Sequence, residues 1–182
     1  MMISEQLLIE QLRNPQTRRK AFETVVKLHS EQLYWQVRRI VLNHDDADDV
    51  LQNVFMKAWQ ALDSFHGDAK LGTWLSRIAI NESLDLMRKQ KNQLAISTDD
   101  IDSGVANQLM ADDYFDGTEI EAQLQQAIAN LPEVQRTVFL LRYYDEKKYS
   151  DISRMLNTSE GALKASYHIA VKKISDFFKR QD

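Results

Sequence analysis

Apolar residues recur at helical spacing along almost the whole chain. Leu8 and Leu12 stand four apart and predict a short helix over 5–13, stopped by Pro15. From about Thr17 to Leu42, Ala21, Phe22, Val25, Leu28, Leu33, Val37, Ile40 and Val41 mark one inward face. Asn43-His44-Asp45-Asp46 breaks the pattern, and Asp45 or Asp46 can cap the next helix. That helix runs to about Leu62, with Val50, Leu51, Val54, Phe55, Ala58 and Trp59 as its apolar set. Asp63 to Gly72 reads as a loop, and Thr73 can cap a helix ending near Lys91. Periodicity then lapses over 92–118, roughly 25 polar and acidic residues, long for a loop inside a compact domain. It resumes at Glu119, where Ile120, Leu124, Ala127, Ile128 and Leu131 share a face. Pro132 fits the first turn of a helix reaching about Tyr144.

The last two helices, about 149–156 and 160–178, flank Asn157-Thr158-Ser159. An eight-residue helix, a three-residue turn and a longer helix is the layout of a helix-turn-helix. Asn157 suits a left-handed turn position and Ser159 suits an N-cap. On the second helix Leu163, Tyr167, Ala170 and Ile174 face inward, while Lys164, His168 and Lys172 form a cationic stripe. Such a stripe suits phosphates and base edges. The same pattern also suits a helical hairpin with a solvated lysine face.

In the 73–91 helix, Trp74, Arg77, Asn81 and Arg88 fall on one side, with Phe65, His66, Lys70 and Leu71 just upstream. Aromatic rings interleaved with cations and an amide suit unstacked single-stranded bases; an ordinary core fringed by solvated arginines has the same pattern. The preceding helix carries Asp48, Asp49, Gln52, Asn53 and Met56 beside its apolar face. That face suits docking on a basic partner helix, or simple helix-dipole complementarity in water.

Composition narrows the classes. Among 182 residues there is no Cys, which excludes disulfides, thiolate metal sites and cysteine nucleophiles. Five Gly and two Pro argue against phosphate-cradling loops and turn-dense β-sandwiches. No apolar run is long enough to span a bilayer, and the start at Met1 has neither a basic nor an apolar signal region. The net charge of −4 conceals a segregation. Residues 1–91 hold 13 basic and 12 acidic side chains, 92–135 hold none and 9, and 136–182 hold 10 and 6. The acid is concentrated in the middle, between neutral and basic flanks.

The order of these parts resembles bacterial RNA polymerase sigma factors of the extracytoplasmic-function group. Asp48-Asp49-Val50-Leu51-Gln52-Asn53-Val54-Phe55-Met56-Lys57-Ala58-Trp59 carries the likeness, with Phe65, Thr73-Trp74-Leu75, Arg77-Ile78-Ala79, Asn81, Asp85 and Arg88. Leu131-Pro132-Glu133-Val134-Gln135-Arg136, Val138-Phe139-Leu140-Leu141-Arg142, Ile152 and Gly161-Ala162-Leu163-Lys164 carry it further. The likeness covers about residues 20–91 and 119–178.

The resemblance implies an all-α protein of two small helical domains joined by a flexible acidic linker. Residues 1–91 would bind core polymerase and melt the −10 promoter element. Residues 92–118 would be the linker, and 119–182 a four-helix, helix-turn-helix domain reading the −35 element. Asp48, Asp49, Gln52, Asn53, Phe55 and Met56 would meet the clamp helices of the largest polymerase subunit. Phe65, His66, Lys70, Trp74, Arg77, Asn81 and Arg88 would capture the −10 non-template strand. Lys164, Ser166, His168 and Lys172 would face −35 DNA. The family often has Gly-Thr-Val-Lys-Ser-Arg in this helix. Ser166 stands where that arginine would be, which removes a bidentate contact. The resemblance also implies a cytoplasmic protein that is not an enzyme, needs no cofactor, and is held by an anti-sigma factor, often membrane-anchored.

A tether with acids and no bases suits a basic channel that passes RNA. Asp99, Asp100, Asp102, Asp112 and Asp113 would mimic that RNA. It would also make the free chain a poor DNA binder. Two other classes fit less of the pattern. A self-sufficient helix-turn-helix regulator would form a homodimer. A helical hydrolase would rest on His44-Asp45-Asp46 with Asp48 and Asp49, yet His29, His44, His66 and His168 are scattered without a paired-His motif.

Overall fold

The computed structural model describes residues 4–93, 110–111 and 117–181. The described residues are helices and turns, with no strand among them. They fall into two compact units that part between Leu86 and Met87. Most of the acidic segment expected over 92–118, including Asp99, Asp100, Asp102, Asp112 and Asp113, lies outside the described residues.

The first unit begins with α1 (Glu5–Arg13), capped by the Ser4 hydroxyl, which accepts from the Leu7 N–H at 3.3 Å. Then follow α2 (Arg18–Val41), α3 (His44–Gln60) and a single 3-10 turn over Leu62–Ser64. The last helix, α4 (Leu71–Gln93), runs across the boundary between the units. The core is the inward stripe of each helix: Leu8 and Leu12 from α1, Val25, Leu33 and Val37 from α2, Val50 and Val54 from α3, Leu75 and Ile80 from α4. Burying side chains of this size contributes about 1.5–3 kcal/mol each.

Four expectations for this unit need correction. The cap of α3 is Asn43, whose Oδ1 accepts from the Asp46 N–H at 3.0 Å; Asp45 and Asp46 sit in the first turn, where the dipole favours them. Helix α4 starts at Leu71, so Thr73 lies inside it. Leu28, placed on the inward face by spacing, is 61% exposed, because that face drifts around a 24-residue helix. Trp59, placed in the apolar set of α3, is 42% exposed.

The second unit contains α5 (Glu119–Ala129), α6 (Glu133–Tyr143), α7 (Tyr149–Leu156) and α8 (Glu160–Lys179). A capping box opens α5: the Thr118 hydroxyl accepts from the Glu121 N–H, and the Glu121 carboxylate accepts from the Thr118 N–H at 2.6 Å. Hydrogen bonding from Thr118, its backbone N–H above all, holds the Glu121 carboxyl below its ordinary pKa. Pro132 occupies the N-cap of α6, one residue before the position expected. Ile120, expected on the inner face of α5, is 69% exposed; Ala122, Ala127 and Ile128 are buried instead. Leu163, Ala170 and Ile174 of α8 are buried, and the Tyr167 ring stacks on Phe139 of α6 at 5.7 Å.

Candidate functional site

Two surfaces lie in the first unit. On α3, Asp48, Asp49, Gln52, Asn53 and Met56 are all exposed, on the side opposite buried Ala47, Val50, Val54 and Ala58. Phe55 is half-buried, held edge-on by Phe22 of α2 at 6.3 Å. Phe22 also supports Trp59 at 5.1 Å. Met56 is 59% exposed beside the acids and amides. Apolar side chains left in water within a polar rim are the composition of a docking face. Trp59, expected only in the apolar set of this helix, is exposed beside Met56 and joins this face. The helix spacing of 59 and 56 was the available signal.

At the N-terminal end of α3, the Tyr34 hydroxyl and His44 Nδ1 are 2.7 Å apart, and His44 Nε2 lies 3.5 Å from Asp48 Oδ2. His44 is thus engaged with a tyrosine and a carboxylate. Among the described residues, no group of three His, Asp or Glu side chains is placed to hold a metal ion.

The second surface is the loop before α4 and the first turns of that helix. Phe65 is only 8% exposed, and its ring packs against Trp74 at 4.8 Å. Trp74 is half-buried on that support, so Phe65 forms the floor under it. Arg77 and Asn81 are exposed one and two turns further along. His66 and Lys70 are exposed on the loop itself. Gly67 between them takes φ +81°, a left-handed conformation that favours glycine. Arg88 lies two turns beyond Asn81, on the same side of α4. It falls in the second unit, where its Nη2 lies 2.5 Å from the Glu133 carboxylate.

Further support comes from an ion pair between Lys57 of α3 and Glu82 of α4. His29 of α2 sits beside Gly72, where an added Cβ would lie 3.4 Å from the ring. Burial lowers the His29 pKa, and the nearby Glu5 carboxylate partly opposes that shift.

The third surface is the helix-turn-helix. Asn157 closes α7 at φ 50° and ψ 47°, and Ser159 Oγ accepts from the Ala162 N–H at 3.3 Å. Lys164, His168 and Lys172 are exposed. At about 100° per residue they span one side of α8. Ser166 is half-buried, about 200° around the helix from Lys164, so the structure does not bring it to that stripe. Tyr149 was missed by sequence reasoning. Its ring receives the Arg142 guanidinium at 4.6 Å and the Lys164 ammonium at 5.7 Å. An aromatic at the start of the first helix of the motif was the only signal.

The architecture is therefore that of a two-unit helical protein with a helix-turn-helix at its C-terminal end. The Sigma-70 region 2 signature matches residues 25–93, and the Sigma-70 region 4 signature matches residues 121–174. The chain is 31% identical over 156 residues to the ECF RNA polymerase sigma factor SigW of Bacillus subtilis, covering 81% of this chain and 83% of that one. It is 32% identical over 180 residues to the RNA polymerase sigma-H factor of Pseudomonas aeruginosa, covering 88% and 86%. The structure resembles the sigma factor RpoE solved with the anti-sigma factor NepR from Bartonella quintana. The TM-score is 0.72 at 25% identity, covering 88% of this chain and 98% of that one. The fold of CnrH, solved with the cytosolic domain of CnrY, is also similar, with TM-score 0.71 at 23% identity over 98% and 99%. This chain belongs to the ECF sigma factors of bacterial RNA polymerase.

Proposed function

We propose that the chain binds core RNA polymerase through the exposed face of α3 and directs promoter-specific initiation with its other two surfaces. Asp48, Asp49, Gln52 and Asn53 would pair with a basic, amide-bearing partner helix, with Met56, Phe55 and Trp59 as apolar anchors. Trp74, Arg77 and Asn81, with the His66–Lys70 loop, would hold unpaired bases of the −10 non-template strand. Lys164, His168 and Lys172 would enter −35 DNA. The chain would make or break no bond: opening a promoter needs base capture, and stacking returns about 1–3 kcal/mol per base. The carrying observation is the exposure of Arg77 and Asn81 beside the supported Trp74 ring, on the helix directly after the docking face.

RpoE and CnrH were each solved with another chain, NepR and the cytosolic domain of CnrY. We infer a comparable anti-sigma partner for this protein. No helix among the described residues is long and apolar enough to cross a membrane. Its place of action would be the cytoplasm, where polymerase and promoter are. We assign residues 1–91 to core binding and −10 capture and 119–182 to −35 reading, with 92–118 as the tether.

Size-exclusion chromatography with and without purified core polymerase tests this reading. A monomer that moves quantitatively into the core-polymerase peak supports it. A stable homodimer that ignores core polymerase and binds an operator alone would replace it with the self-sufficient regulator.

A further inference from the structure

We infer that α1 is the positioning element of the strand-capture loop, with Glu5, Arg13 and the neighbouring Arg18 setting sequence preference at the −10 element. This rests on the reading that residues 63–71 and the start of α4 capture that element.

The loop is held from outside at three points. At its start, Arg18 Nη2 lies 2.6 Å from Asp63 Oδ1. In its middle, Arg13 Nη2 donates to the His66 carbonyl oxygen at 3.0 Å. At its end, the Leu71 N–H donates to Glu5 Oε1 at 2.6 Å. The last bond satisfies one of the N–H groups that open α4, so a side chain 66 residues earlier caps this helix. Within the loop, Phe65 is the buried anchor, packed against Trp74, and the residues after it lie in water. His66, Gly67, Asp68 and Lys70 are all exposed, and Gly67 is in the left-handed region. An exposed glycine-bearing loop has a large conformational entropy, and external attachments are what reduce it to one shape.

Helix α1 is suited to the task. Arg13 stands eight positions after Glu5, a rigid span of about 12 Å. The helix is fastened to the core by Leu8 and Leu12 and capped by Ser4. Arg18 also donates from Nε to the Leu12 carbonyl at 2.8 Å, which ties its guanidinium to the end of α1. The negative Glu5 stands at the positive end of the helix and Arg13 at the negative end, so the dipole favours both. All three holding residues precede residue 25, where the region 2 match begins, while the loop they hold lies within it.

A purely structural role would weaken every activity together. A positioning role would affect the −10 element alone. The test uses the full chain with core polymerase on a promoter library randomised at both elements, with permanganate footprinting of opening. Glu5→Ala and Arg13→Ala are each expected to slow opening about tenfold on the preferred sequence, the scale of one lost charge-assisted hydrogen bond. They should flatten the −10 preference and leave −35 preference and core affinity unchanged. Glu5→Gln keeps an oxygen for the Leu71 N–H and should retain wild-type selection. Unchanged −10 selection in the Glu5→Ala/Arg13→Ala double variant overturns the inference, as does a parallel loss of −10, −35 and core binding. If the double variant does not fold, Arg13→Ala decides alone, because it removes only an exposed side chain. A wild-type chain that selects no −10 sequence overturns the parent reading, and this inference with it.

Discussion

The Lys164 ammonium stands 5.7 Å from the centre of the Tyr149 ring, which also carries the Arg142 guanidinium at 4.6 Å. One aromatic ring thus orders two cations where the two helices of the helix-turn-helix meet. A cation over an aromatic face at an exposed site is worth about 0.5–1 kcal/mol. Tyr149→Leu should therefore weaken −35 DNA binding by the polymerase complex about two- to fivefold, and Tyr149→Phe should not. Fluorescence anisotropy on a −35 duplex, across a salt series, measures this. Equal losses in both variants would assign the effect to the hydroxyl.

Gly161 stands on the same side of α8 as Lys164, His168 and Lys172, and a Cβ built there meets nothing within 4 Å. Nothing in the described fold requires a glycine at this place. Glycine in a helix costs about 0.5–1 kcal/mol relative to alanine. Gly161→Ala should raise the thermal midpoint of the free chain and lower affinity for −35 DNA, because the methyl group would face the phosphates. Calorimetry and anisotropy on the same preparation check both signs.

The lowered His29 pKa sets a pH dependence. Burial makes the folded ring a poorer proton acceptor than the same ring in the unfolded chain, with the Glu5 carboxylate partly opposing this. The unfolded state therefore binds more protons below about pH 6.5, and stability falls as pH drops from there toward the lower folded pKa. Above that window His29 contributes no slope. Urea midpoints measured between pH 5 and 8 should decline at the acid end in wild type and decline less in His29→Gln.

Trp74→Ala, Arg77→Ala and Asn81→Ala should each impair promoter opening while core affinity stays near wild type. The loss should be largest for Trp74, roughly tenfold or more, since one stacked base is worth about 1–3 kcal/mol. Trp74→Phe should recover part of it. Permanganate reactivity of −10 thymines, normalised to bound core polymerase, reads the effect.

The helices were legible because burial follows their period. Leu163, Ala170 and Ile174 are inside, Asn157 is left-handed and Ser159 caps, as spacing and turn chemistry require. The start of α4 was not legible, because its cap is Glu5 from another helix and no local rule reaches that far. The burial of Phe65 under Trp74 and the pairing of Arg88 with Glu133 are likewise tertiary facts. The exposures of Leu28 and Ile120 show the limit of periodicity, which marks an apolar stripe and not which of its edge residues finds a neighbour. The place of Ser166 was available from spacing: two residues are about 200° apart on a helix, whichever motif they belong to.

Run-off transcription with purified core polymerase on a randomised promoter library tests the central claim most directly. The account predicts that adding this chain yields transcripts from templates sharing one −35 and one −10 sequence at fixed spacing, with none from core polymerase alone. Transcription that is unchanged by the chain, or enriched for no promoter sequence, would contradict it.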